Sequence, residues 1–155
     1  MWTNSHGTTF EFTHVIDEGT LFHVARPGGT DSQNQWNFLE DHCFGWAGYP
    51  RVLYVDPAKG YLSEYWLTRT QELGIDLKVS ARDSHWQLGR VEAHGAILKG
   101  MLTRTDVERP INNAETFRKA LIQACHAKNT LTRKSGYSPE PVSYTHLTLP
   151  TKLEV

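Results

Sequence analysis

Arg51-Val52-Leu53-Tyr54-Val55-Asp56-Pro57 is a short run of apolar and β-branched residues that ends on a carboxylate and a proline. A run of this kind reads as a strand buried on both faces, and proline cannot continue a sheet ladder. The strand therefore stops at Val55, and Asp56 emerges at the rim of the sheet. Beyond it, Ser63 to Leu73 has helical character and Gly74 supplies the stop. Ile75 to Val79 then returns as a strand. A strand–helix–strand unit of this size indicates a sheet with helices packed on it.

Working outward, residues 9–16 (Thr-Phe-Glu-Phe-Thr-His-Val-Ile) alternate and are rich in β-branched and aromatic types, the pattern of a half-buried strand. Asp17-Glu18-Gly19 is a turn, and Thr20 to Ala25 completes a hairpin that Pro27-Gly28-Gly29 ends. Asp31 to Trp46 reads as a helix with Trp36, Leu39 and Cys43 at helical spacing; Trp36, Trp46 and Trp66 read as core. Gly89 to Thr105 and Ala114 to Asn129 read as two further helices, separated at Pro110. The order fits a mixed α/β sheet.

Sixteen basic residues face seventeen acidic ones. That balance does not mark a polyanion binder, which usually carries a basic excess. The stretch from Lys99 to Lys134 is richer in Lys and Arg, and reads either as a DNA-facing half or as a solvated helix surface. Cys43 and Cys125 stand far apart, as two free thiols of a reducing compartment would. No apolar run reaches the roughly 18–20 residues of a membrane span, and the N-terminus does not read as a secretory signal.

The chemistry rests on Asp56 and Glu92. Asp56 follows a buried strand, Glu92 sits one turn into the helix near Gly89, and residues 57–91 lie between them. Two-metal phosphoryl transfer needs hard oxygen ligands on separate rigid elements, so that two ions can sit about 3.5–4 Å apart around a phosphate. On spacing alone, Glu92 is equally a solvent-facing helix carboxylate and Asp56 a turn residue before proline.

The flanking residues add information. Ser84-His85-Trp86-Gln87-Leu88-Gly89-Arg90-Val91-Glu92 resembles the segment around the glutamate in integrases of copia-type LTR retrotransposons. Val55-Asp56-Pro57-Ala58-Lys59-Gly60 stands where that family has its second catalytic Asp, and Val15 to Thr20 resembles its second-strand ending. Lys128-Asn129 and Ser135 to Pro139 resemble the helix and loop that close its core. The resemblance spans about residues 8–140.

It implies an RNase H-like core, a five-stranded mixed sheet flanked by helices, with two Asp and one Glu of the DDE motif binding Mg²⁺ or Mn²⁺. The family reactions are end processing and strand transfer of element DNA into target DNA. Asp56 and Glu92 are then catalytic metal ligands. Lys99, two turns after Glu92 on the same face, becomes a phosphate contact. Trp86 and Gln87, in the loop before the glutamate helix, become nucleic-acid contacts, and His85 and His94 flank the site. The resemblance further implies a homodimer, DNA as partner, no membrane, and location in the nucleus or a cytoplasmic retroelement particle.

Two departures matter. The place of the first catalytic Asp falls at or before Met1, and Asp17 matches the strand-ending turn rather than a metal ligand. The expectation is a core without its opening strand, inactive in strand transfer, with strand 9–16 left partly unpaired. A catalytically dead RNase H-like domain that binds nucleic acid is the alternative. The second departure is Val142 to Thr151, which resembles an in-frame translation of a transposase-type sequencing adapter; residues 141–155 are therefore set apart from the 1–140 core.

Overall fold

The computed structural model describes residues 1–29, 31–55, 63–79, 85–131 and 152–154, by backbone alone at 79, 85–88, 90 and 152–154. Strands β1 (Trp2–Thr3) and β2 (Thr9–Phe10) form a small ribbon. Its turn is held by Asn4, whose Oδ1 accepts the His6 and Thr8 N–H groups. Strands β3 (Phe12–Asp17) and β4 (His23–Pro27) form the expected hairpin. The single strand read over 9–16 is thus two, divided at Glu11, and the second hairpin strand starts three residues later than the pattern indicated.

Helix α1 (Ser32–Leu39) opens on Asp31, whose side chain accepts the Asn34 N–H. It passes into a π turn (Glu40–Phe44) and ends as α2 (Gly45–Ala47). A π turn takes up an extra residue and shifts the phase of the helix beyond it. Ala47 faces the core, and Trp46, expected there, is 47% exposed. Strand β5 (Val52–Val55) and strand β6 (Asp76–Val79) pair in parallel around α3 (Glu64–Leu73). Ser63 caps the start of α3, and Gly74, at φ +71°, closes it in the left-handed region. Helices α4 (His85–Glu108) and α5 (Ala114–Leu131) follow. The first turn of α4 takes in the segment that the sequence placed in a loop, so Glu92 lies two turns into the helix rather than one.

The main sheet has the order β4-β3-β7-β5-β6, with β7 formed by Lys152–Glu154. Strand β7 is antiparallel to β3, matching Asp17 with Leu153, and parallel to β5, matching Leu53 with Leu153. Residues 152–154, within the stretch set apart from the 1–140 core, thus form the middle strand of this sheet. Ile16, in the strand expected to be left partly unpaired, pairs with it, as does Asp17 of the turn.

Alternation on the strands divides the core in two. Val15, Val24, Leu53 and Val55 pack with Trp36, Leu39, Phe44 and Trp66 on the α1–α3 side. Phe12 and Ala25 pack with Leu98, Leu102, Phe117 and Leu121 on the α4–α5 side, where Trp2 also inserts. Trp36 and Trp66 are fully buried, edge to face at 5.1 Å. Among the described residues no helix is long and apolar enough to cross a membrane.

Candidate active site on helix α4

Helix α4 lies against the sheet through Leu98 and Leu102, and Val91 is buried as well. Gly95 is the point of closest approach: a Cβ there would stand 3.2 Å from the His14 ring. This inward stripe turns the opposite face to solvent. Glu92 and Lys99 are both exposed on α4, seven residues apart and therefore on one face. His85, Trp86 and Gln87 belong to the first turn of the same helix by backbone. Asp56 lies outside the described residues, directly after the last residue of β5. Among the described residues no group of three or more His, Cys, Asp or Glu could hold a metal ion. Glu92 offers a hard oxygen donor suited to Mg²⁺ or Mn²⁺.

Asp17 is buried at the end of β3, and its Oδ2 accepts both the N–H and the hydroxyl of Thr20. That carboxylate holds the hairpin turn, as the sequence indicated.

Behind α4 the structure gathers residues that sequence reasoning did not join. Lys128 on α5, 4% exposed, places Nζ 2.7 Å from His23 Nδ1 and 2.9 Å from His94 Nδ1. His23 Nε2 lies 2.9 Å from His14 Nδ1. The chain thus links α5, β4, β3 and α4. Burial, followed by the charge of Lys128, lowers His23 well below the ordinary imidazole value. Burial likewise lowers Lys128 to about 8. The available signal was Lys128-Asn129, singled out as a motif but not paired with any histidine, since its partners lie 34 and 105 residues away.

A cavity of ≈160 Å³ opens between β4 and α5, lined by Phe22, Arg26, Ile122 and His126 among others. None of the predicted site residues lines it, so it lies apart from the α4 face.

No protein-family model matches the chain, and no curated protein does. Solved structures do. A simian T-cell lymphotropic virus intasome, in complex with a PP2A regulatory subunit, matches with TM-score 0.71 at 17% identity. The match covers 92% of this chain and 55% of that one, so the chain spans about half the intasome protein. The HTLV-2 integrase catalytic core domain with magnesium matches in its dimeric form with TM-score 0.64 at 18% identity, over 84% of this chain and 90% of that one. Its trimeric form matches with TM-score 0.66 at 17% identity, over 86% and 92%. With its mixed five-stranded sheet and flanking helices, the chain has the RNase H-like fold of a retroviral integrase catalytic core.

Proposed function

We propose that this chain is the core of an integrase-type polynucleotidyl transferase from a copia-type retroelement. The observation that carries the proposal is the open face of α4, which presents Glu92 and Lys99 together in a fold shared with magnesium-bound integrase cores. In this reading Glu92 and Asp56 hold Mg²⁺ or Mn²⁺. The metal supplies charge neutralisation and a more acidic bound water for an in-line displacement at phosphorus. Lys99 meets a phosphate beside that centre, and Trp86 and Gln87 meet the nucleic acid at the start of the helix. The partners are element and target DNA and a second copy of the chain, in the nucleus or a retroelement particle.

Three carboxylates normally share two doubly charged ions, and this reading supplies two. Strand transfer is therefore expected to be negligible for this polypeptide, and metal binding is the sharper test. Mn²⁺ titration followed by electron paramagnetic resonance should show weak binding that Glu92→Gln and Asp56→Asn each remove. Binding unchanged in both variants would refute the assignment. DNA retention that is indifferent to metal and to both substitutions, yet lost in Lys99→Ala, would instead identify a binding domain without chemistry.

A further inference from the structure

Lys128, His23 and His14 form a chain whose hydrogen atoms can be counted. An ammonium group only donates, so a charged Lys128 requires acceptors at both His23 Nδ1 and His94 Nδ1. Each of those rings then carries its hydrogen on Nε2. His23 Nε2–H donates in turn to His14 Nδ1 at 2.9 Å. One arrangement satisfies these contacts, with one cation and neutral rings at His23 and His94.

A further proton on His23 has no place in this arrangement. Added at Nδ1, it would set a donor against the Lys128 ammonium. It would also put a second positive charge inside a site where His23 is 0% exposed. The groups that bear on His23 are His14 from β3, His94 from α4 and Lys128 from α5; on its own strand Arg26 stands three residues on. Every one of them is neutral or positive. The one anion-forming group among the described residues that acts on Lys128, the Cys125 thiol of α5, is kept protonated by burial. Removal of His23 from this setting lets its ring take the proton in water.

We infer that the His14–His23–Lys128 chain is a proton-operated latch, which holds the β3–β4 hairpin against α5 and α4 at neutral pH and releases it in mild acid. Release frees the Asn129 side chain from the His23 backbone, which it clamps through both N–H and C=O, so edge strand and helix part together. The inference stands without any chemistry at Glu92, and its test involves neither metal nor DNA.

The test is amide hydrogen exchange of the metal-free chain at about pH 7.5 and about pH 5, spanning the imidazole range. After correction for intrinsic rates, amides of β4 and of α5 around Asn129 should lose roughly tenfold or more protection in acid, while those of α1 and α3 hold theirs. Imidazole nitrogen NMR at the higher pH should show His23 as the Nε2–H tautomer. His23→Gln preserves an acceptor for Lys128 and a donor for His14 but cannot titrate, and should abolish the acid opening. Should that variant not fold, Lys128→Met removes the competing charge and should move the opening to lower pH. Equal protection at both pH values in the unmodified chain would overturn the latch. So would acid opening of unchanged midpoint in a folded variant of either kind.

Discussion

Asn129 does for His23 what a neighbouring strand would do. Its Oδ1 accepts the His23 N–H at 2.8 Å, and its Nδ2 donates to the His23 carbonyl at 2.9 Å. Strand β4 is the last in the sheet on that side, so these backbone groups would otherwise face a helix with nothing to meet. Farther along the edge the Arg26 guanidinium reaches the Ala25 carbonyl and the Ala25 N–H meets the Cys125 sulfur, and Pro27 has no N–H to offer. Side chains thus close this edge against further pairing. Asn129→Ala would strand two buried backbone groups and should cost about 2–4 kcal/mol in urea unfolding. Asn129→Asp keeps the acceptor alone and should cost as much or more, because its carboxylate then faces the His23 carbonyl.

The middle of the sheet depends on three residues. Leu153 is matched to Asp17 on one side and to Leu53 on the other. Leu153→Pro removes an N–H from a central strand and should cost about 3 kcal/mol or more. Light scattering should then show concentration-dependent association, since β3 and β5 are left with open inner edges. A monomer of unchanged unfolding midpoint would show that β7 contributes little to the fold.

Gly74 tests a backbone effect in isolation. Its φ is +71°, and a Cβ added there would meet nothing within 4 Å. Gly74→Ala should therefore cost about 1–2 kcal/mol through conformation alone. Gly74→Asn should cost less, since asparagine tolerates this region. Chemical denaturation of the two variants checks the order.

Stability should pass through a maximum near pH 9. Lys128 is lowered from 10.5 to about 8, so between those values the unfolded chain binds more protons and stability rises with pH. The two thiols act in the opposite sense. Burial raises Cys43 from 9.0 to about 12 and Cys125 from 9.0 to about 11, so above 9 the folded chain holds protons that the unfolded chain releases. Their contribution is complete below that value and is lost as pH rises through the folded values. Thermal unfolding from about pH 7.5 to 10 should show a rise and then a fall. Lys128→Met should erase the rise and Cys43→Ala should weaken the fall.

The sequence was informative wherever local pattern decides. The apolar run to Val55, the Ser63 and Gly74 boundaries of α3 and the two late helices depend on propensity and capping, and each is where the pattern puts it to within a few residues. The order of elements pointed to the mixed sheet. What could not be read was set by non-local contacts. No local pattern marks Trp2, yet its ring stacks on Phe117 and its indole N–H donates to Thr103. Trp46 has helical spacing, but the π turn before it moves it outward. His14 and His23 look like ordinary strand residues until α5 brings Lys128 to them. Of the predicted site, Glu92 and Lys99 are placed on one exposed face, while Asp56 and the side chains of Trp86 and Gln87 lie outside what the structure describes.

The register between Val52 and Lys152 joins residues a hundred positions apart. Closing so long a loop carries an entropic cost that no early local contact offsets, and topologies rich in such pairings fold slowly. The β3–β4 hairpin and the β5–α3–β6 unit can each form from neighbouring residues. Their pairing across the sheet centre waits for β7, so kinetics should show two fast local phases and a slower joining step whose rate follows the integrity of residues 152–154. The sheet's centre would then be the last part of the molecule to become native, and the first whose loss divides it.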